Sequence, residues 1–554
     1  MKPPSFPIVF LLTASLTGIR VSGDDLATQS TQHYWQKIGE EELINALQLR
    51  RNEKTAKNVI LFIGDGMGPN TVTATRIYKG GESSHLEFEK FPNVGLLKTY
   101  SVDRTVPDSA CTATALFTGV KTNYEVSGVD GGVPLKNCQA SLNKERRLSS
   151  IMAWAQEAGK DTGFVTTTRV THATPSALYS HSADRKWECD AVMPQSAAQC
   201  KDIARQMVED LPGRDLKVIM GGGRQCLTWN ITNKTSDPID TWACRRNDGR
   251  DLIKLWETDK IDRKVNYKIV SSTQDLLMLD YNKTEFLLGV FANSHIAYED
   301  ERDKSPGGMP SLKEMTVAAI KLLQKNTNGF VLMVEGGLID YAHHRGLARR
   351  ALEETVMFDE TIAEAVKLTR RNYYDDNYSN DDGDTLIVVT SDHAHNLNIN
   401  GNTQSRDDIL GIAMNSKIDG VPYTTLTYAT GGPRNYQYET TPGGNIQRKD
   451  PTNSNTTSYT YNQQAGIVND EATHGGVDVP VFATGPMSHL FHGLHEQSYV
   501  AHVVAYAAKM GRYKNRADVP GTCANAGFKR NGAGLSEAGR LLVAIVLSLY
   551  LHRP

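Results

Sequence analysis

Cysteine is scarce, with seven in 554 residues, too few for a fold held together by disulfides. An excess of one charge is missing as well. Lys and Arg number 60 against 63 Asp and Glu, for a formal charge of −3, so the basic surplus of a dedicated nucleic-acid binder is absent. No apolar run reaches the roughly 18–20 residues that a membrane-spanning helix needs. What is present is a globular balance, 39% hydrophobic and 22% charged, which sets the chain apart from disordered sequences. Its length suits several ordinary domains or one large α/β core with insertions.

The two ends read as processing signals. Lys2 precedes an apolar stretch from Ile8 to Leu16 and the small residues Val21-Ser22-Gly23, the order of a secretory signal peptide over residues 1–23. At the other end the apolar tail Leu541 to Leu551 follows a polar spacer, Gly534 to Arg540, and the small cluster Asn531-Gly532-Ala533. That is the layout of a GPI-attachment signal, with Asn531 as attachment residue and 532–554 removed. A second small cluster, Asn525-Ala526-Gly527, is an alternative site. Both ends predict passage through the secretory pathway and a lipid-anchored place on the extracellular face of the cell membrane. Five glycosylation sequons, at Asn230, Asn233, Asn282, Asn377 and Asn455, fit that compartment.

Between the ends, residues 24–57 form an arm in which Leu43, Ala46, Leu47 and Arg50 recur at helical spacing, predicting a helix over 32–52. Short apolar runs follow. Asn58 to Ile63 ends at Gly64-Asp65-Gly66-Met67-Gly68, Phe330 to Val334 at Glu335-Gly336-Gly337, and Leu386 to Thr390 at Ser391-Asp392-His393. Val218 to Met220 and Val479 to Ala483 are of the same kind. Alternating with helical segments, such runs predict an α/β fold with a large, mostly parallel sheet covered on both faces. Ligands bind beyond the carboxyl ends of such strands, so Asp65, Glu335 and Asp392 are expected at one rim. Residues 396–465 are rich in Asn, Thr, Gly, Ser and Tyr and read as an insertion. It divides the core into 58–395 and 466–512, before a stalk at 513–531.

Candidate chemistry clusters at the same places. Asp340 and His344 are four apart and share a face of any helix they occupy, half of a zinc site. Asp392 and His393 are adjacent on a strand-end loop, and His474 sits in the loop Ala472-Thr473-His474-Gly475-Gly476. The stretch Val106-Pro107-Asp108-Ser109-Ala110-Cys111 reads as a loop entering a helix. There Asp108 or Ser109 caps the helix, and its free N–H groups favour an alkoxide or phosphate. A third run, Thr166 to His172, leads to Thr174, His181 and Arg185. Arg185 has the planar fork that grips a tetrahedral oxyanion.

Together, Gly64 to Gly68, Pro107-Asp108-Ser109-Ala110, Glu335-Gly336-Gly337, Asp340 with His344, Ser391-Asp392-His393 and Thr473 to Gly476 stand in the order found in alkaline phosphatases. From about residue 32 to 512 the chain resembles the membrane-bound, GPI-anchored animal enzymes. The resemblance implies hydrolysis of phosphate monoesters through a phosphoserine on Ser109, with Arg185 as phosphate clamp. It implies one zinc on Asp340, His344 and His474, a second on Asp65, Asp392 and His393 that also meets Ser109, and a magnesium on Asp65, Thr174 and Glu335. Asp108, His172 and Tyr341 would stand beside these groups, and His343 would not be a ligand. Further implications are a Cys138–Cys200 disulfide, a crown-type role for 396–465 and a homodimer formed through that insertion and the N-terminal helix. Partners are then small phosphomonoesters, with no dedicated nucleic acid.

Departures from the family pattern are also expectations. Tyr341 stands where vertebrate relatives carry His and bacterial ones Lys. The calcium site of vertebrate relatives is predicted weak or absent, because its Phe-Glu pair reads Phe291-Ala292 and another carboxylate position falls near Gly307. Cys111 is expected buried and reduced. Cys226 and Cys244 are expected as a second pair, with Cys189 and Cys523 unassigned. A sulfatase or phosphodiesterase cousin fits less well: Ser109-Ala-Cys-Thr-Ala lacks the sulfatase Cys/Ser-x-Pro-x-Arg context, and the diesterases lack a counterpart of Arg185. A non-catalytic surface receptor would have no need of a complete ligand set.

Overall fold

A computed structural model describes residues 29–370 and 383–515. The signal peptide, Asn377, Cys523, most of the stalk, Asn531 and the C-terminal tail lie outside the described residues. The centre is a ten-stranded sheet made of β1 (Asn58–Gly64), β2 (Asn93–Lys98), β3 (Asp161–Arg169), β4 (Val218–Gly222), β5 (Tyr267–Val270), β6 (Phe286–Val290), β7 (Phe330–Gly336), β8 (Thr385–Thr390), β9 (Val479–Thr484) and β10 (Gly493–Glu496). In space the order is β10-β2-β9-β8-β1-β7-β3-β4-β6-β5.

Both faces of the sheet are buried, which is why its central strands are apolar without alternation. Val59, Leu61 and Ile63 of β1 enter one core cluster, with Leu116 and Phe117 of helix Ser109–Thr118 and Val500 and Val504 of helix Tyr499–Ala508. Ile60 and Phe62 enter the other, with Met315 of helix Leu312–Leu323 and Phe358 and Ile362 of helix Ala348–Thr369. The predicted fold class, a mostly parallel sheet between helices, is the one observed. The neighbours run parallel except β9, which is antiparallel to both β8 and β2. Its apolar run resembled the others, but it differs in one respect. His474 precedes β9, whereas the other site residues follow their strands. The amino end of β9 therefore lies at the site rim and the strand runs the opposite way.

The register of the central strands builds that rim. Ile63 of β1 pairs with Glu335 on one side and Thr390 on the other, and Thr166 of β3 also pairs with Glu335. The adjacent strands β8, β1 and β7 thus end level, β3 runs on beside them to Arg169, and the residues just beyond the three ends converge.

The N-terminal helix spans Gln32–Gln48, capped by Thr31 Oγ1 accepting from Tyr34 N–H at 3.3 Å. It stops short of the expected residue 52, since Leu49 is extended and Arg50 falls outside. Leu43, Leu47 and Trp35 are exposed. Within 396–465, strands Leu397–Ile399 and Leu426–Gly431 pair antiparallel, and Ala465–Val468 adds on parallel. Leu397, Ile409, Leu410, Leu426 and Tyr428 share a small core with Ala74, Ala348 and Leu352 of the main body, so the insertion is seated on it. Among the described residues no helix is long and apolar enough to cross a membrane.

Cys138 is bonded to Cys200, the implied pair. The second disulfide corrects the expectation: Cys244 is bonded to Cys189, and Cys226 is a free, buried thiol. All three meet in one cluster, so Cys244 had two neighbours, a choice that spacing does not decide. The Cys226 thiol instead lies 3.2 Å from the carbonyl of Cys244, and burial pushes its pKa up. Cys111 is also free and buried.

Candidate active site

Asp108 caps helix Ser109–Thr118, accepting from the N–H groups of Ala110 and Cys111. This settles the choice between Asp108 and Ser109. Ser109 is the first residue of the helix, only 1% exposed, and its Oγ lies 3.2 Å from His393 Nε2. The hydroxyl therefore sits at the positive end of a ten-residue helix, where developing negative charge is favoured.

Around it the structure gathers three groups able to hold cations: Asp340, His344, His395 and His474; Asp65, Asp340 and His393; and Asp65, His172 and Glu335. In each, one ligand atom per residue lies within 4.8 Å of the others. Helix Leu338–His344 puts Asp340 and His344 on one face as its spacing predicted, with His344 Nε2 3.1 Å from Asp340 Oδ2. His474 Nε2 is 3.1 Å from His344 Nε2. The backbone orients both rings from behind: Ala472 O lies 2.7 Å from His344 Nδ1, and Pro107 O lies 2.8 Å from His474 Nδ1. With each Nδ1 proton given to a carbonyl, each Nε2 lone pair is free to face a metal. Asp392 joins the second group through Oδ2, 3.2 Å from His393 Nε2, while its Oδ1 accepts from the N–H groups of Gly66 and His393.

Electrostatics make the same point. Burial and the neighbouring carboxylates Asp392, Asp340 and Glu335 hold the Asp65 carboxyl well above its ordinary range. Burial, then Asp340, raises Asp392 to about 6, and burial raises Glu335 to about 7. Asp340 goes the other way. Burial opposes its charge, but His344, with help from His395 and His474, holds it well below the usual value. Burial depresses His393 to about 4 and His474 to about 3. Asp65 Oδ1 and Oδ2, Thr174 Oγ1 and Glu335 Oε1 are buried without a hydrogen-bond partner. Orphaned carboxylate oxygens crowded together are costly unless cations neutralise them, and imidazole facing carboxylate is a divalent-ion donor set. The residues present fit bound metal.

Arg185 reaches in from the far side. Its Nη1 donates to Asp108 Oδ2 at 3.0 Å and its Nη2 to His172 Nε2 at 3.2 Å. A guanidinium only donates, so His172 accepts at Nε2 and is neutral with its proton on Nδ1. Burial and the cationic Arg185 keep its pKa well below the usual value. His181 lies away from the centre, 3.0 Å from Leu148 O. His343, adjacent to His344, is turned from the metal groups, with Thr71 Oγ1 at 3.0 Å from Nε2 and Tyr428 OH at 2.7 Å from Nδ1.

Sequence reasoning missed several residues. His395 stands 3.2 Å from Asp340 Oδ1 and pairs with His474 in a short antiparallel ladder. The only signal was proximity, since His395 stands two residues beyond His393, in the two-residue strand Ala394–His395. Thr166 and Thr168 both donate to Glu335 Oε2, as the alternation of β3 permits. His295 gave no signal. Its ring lies 4.8 Å from that of Tyr341 and 5.3 Å from that of His172, and its Nε2 accepts from Arg169, which Glu188 holds from behind.

With this geometry in place, similarity to known proteins becomes informative. The alkaline phosphatase family profile matches residues 56–510. The tissue-nonspecific alkaline phosphatase isozyme of Gallus gallus is 44% identical over 489 residues, 86% of this chain and 89% of that protein. The corresponding Homo sapiens isozyme is 43% identical over 528 residues, 93% and 94% of the two chains. The membrane-bound alkaline phosphatase of Bombyx mori is 38% identical, covering 88% of this chain and 86% of that one. Among solved structures, the alkaline phosphatase of Thermus thermophilus superposes with a TM-score of 0.55 at 22% identity, covering 84% of this chain and 93% of that one, a likeness of fold. The chain belongs to the alkaline phosphatase family. It is a phosphatase enzyme, as the sequence resemblance implied.

Proposed function

We propose that the protein hydrolyses phosphate monoesters through a phosphoserine on Ser109, at a centre of two zinc ions and one magnesium. The observation that carries this reading is the Ser109 hydroxyl at a helix N-terminus, 3.2 Å from His393, at the edge of three overlapping cation groups. Asp340, His344 and His474 would hold one zinc; Asp65, Asp392 and His393 the other, beside Ser109; and Asp65, Thr174 and Glu335 the magnesium. When bound, these ions supply Lewis-acid activation of hydroxyl and water and neutralise phosphate charge. Ser109 Oγ forms a bond to phosphorus as the bond from phosphorus to the ester oxygen breaks and the alcohol leaves. Water then attacks phosphorus from the side the alcohol left, releasing inorganic phosphate and restoring the serine. Arg185 offers two N–H donors to the phosphoryl oxygens and offsets their charge, while Asp108 fixes the guanidinium. Few side chains address the alcohol, so a broad range of monoesters is expected.

The wider assignment is part of the same proposal. The mature enzyme spans 24–531, glycosylated and GPI-anchored outside the cell, and forms a homodimer through the N-terminal helix and the 396–465 insertion. Exposed Asn230, Asn233, Asn282 and Asn455 and the exposed apolar residues of helix Gln32–Gln48 support it. Turnover of p-nitrophenyl phosphate by wild type and Ser109→Ala, with zinc and magnesium measured in both, is the test. A Ser109→Ala enzyme that retains its metals and its turnover would exclude the assigned nucleophile.

A further inference from the structure

Six non-glycine residues adopt left-handed backbone among the described residues, and Glu125 is the one that bonds directly to both sides of the reaction centre. At φ 59°, its N–H donates to Asp108 Oδ1 at 2.7 Å and its carbonyl accepts from the Arg185 N–H at 2.9 Å. Asp108 in turn caps the Ser109 helix through one set of contacts and receives Arg185 Nη1 through the other. Glu125 therefore closes a ring in which nucleophile helix, clamp side chain and clamp backbone are all tied.

The segment that follows is a seam between the same two elements. Gly128 N–H donates to Thr114 Oγ1 of the nucleophile helix at 3.0 Å, and Ser127 exchanges both backbone hydrogen bonds with Ser182 on the approach to Arg185. A side chain at Gly128 would meet Ser180 O at 1.8 Å, so the seam is tight. The side chain of Glu125 adds only an ion pair with the largely exposed Lys186, of the sort that contributes little. A left-handed residue other than glycine is held by its surroundings rather than by preference, and such residues gather at functional sites.

We infer that Glu125 is a positioning residue, whose left-handed backbone sets Arg185 in register with Ser109. This rests on the roles proposed for those two residues. The device is the backbone conformation, so the useful contrast is between substituents that tolerate it and those that resist it. Glycine enters this region freely, whereas a β-branched residue there is a steric outlier.

The test is a double-mutant cycle on the zinc- and magnesium-loaded enzyme, with inorganic phosphate as competitive inhibitor and p-nitrophenyl phosphate as substrate. Glu125→Val is expected to raise the phosphate Ki and the KM about tenfold, with a smaller change in kcat, because the clamp is displaced while the serine is not. Glu125→Gly should rescue most of that loss. In an Arg185→Ala background, Glu125→Val should add less than about twofold, since the residue it acts through is gone. Thermal unfolding is measured alongside, and if the valine variant does not fold, Glu125→Ala takes its place in the cycle. A phosphate Ki unmoved by Glu125→Val, or an equal loss with Arg185 absent, overturns the inference. Should Arg185→Ala itself leave the phosphate Ki unchanged, the clamp assignment fails, and this inference with it.

Discussion

Glu335→Gln should make the protein stripped of divalent ions less stable in acid and more stable in base. Glu335 is fully buried, and burial lifts its carboxyl from 4.5 to about 7 in spite of hydrogen bonds from Thr166 and Thr168. Between those values the unfolded chain has lost this proton and the folded chain keeps it. The stabilisation tied to this group is thus complete below pH 4.5 and is lost as pH rises through 7. The span corresponds to about 3 kcal/mol. Glutamine cannot ionise, so it escapes this loss, but it accepts the threonine hydroxyls less well, a deficit of about 1 kcal/mol. The variant should therefore be about 1 kcal/mol less stable than wild type at pH 4 and about 2 kcal/mol more stable at pH 8. Urea unfolding in EDTA at the two pH values reads this directly. With zinc and magnesium restored at pH 8 the order should invert, because the ionised carboxylate then has a cation to face. A wild type more stable than Glu335→Gln at both pH values in EDTA would refute the account of the carboxylate cluster.

Other consequences are open to measurement. The neighbours His343 and His344 should separate cleanly: His344→Ala loses zinc and activity, whereas His343→Ala keeps zinc but loses about 2–4 kcal/mol of stability, since Thr71 and Tyr428 are left unpaired in a packed interior. Metal analysis paired with thermal unfolding distinguishes them. Arg185→Ala should lower kcat/KM for p-nitrophenyl phosphate by about 10²–10³ and weaken phosphate inhibition, as loss of a charged transition-state donor does; an unchanged phosphate Ki would count against the clamp. Non-reducing peptide mapping should recover Cys189 linked to Cys244, with Cys226 alkylated only after unfolding, and a Cys226–Cys244 peptide would contradict the observed pairing.

What the sequence could disclose was the rim. Asp65, Glu335 and Asp392 each follow or end an apolar strand run, and a parallel sheet buried on both faces leaves such residues at one edge. The spacing of Asp340 and His344 specified a shared helix face, and helix Leu338–His344 supplies it. The pairing of Cys244 was hidden, because the chain near Asn230 folds back so that two cysteines approach it and only the three-dimensional path selects Cys189. The Glu188, Arg169 and His295 chain was hidden too: its members come from three separate segments, and each on its own looks like an ordinary polar residue. Strands β2 and β10 escaped notice for a different reason. β10 is an edge strand and β2 its neighbour, with Val94, Leu96 and Leu494 exposed, so they lack the continuous apolar signature of the central strands.

The pairing of His395 with His474 has a mechanical consequence. These residues flank the long insertion, one just before it and one just after, so the ladder acts as a clasp at its neck. Asp340, reaching toward both rings, sits at the buckle. A cation drawing these side chains together would fasten the loop-rich region above, and chelation would slacken it. Amide exchange in 396–465 should therefore quicken on metal removal.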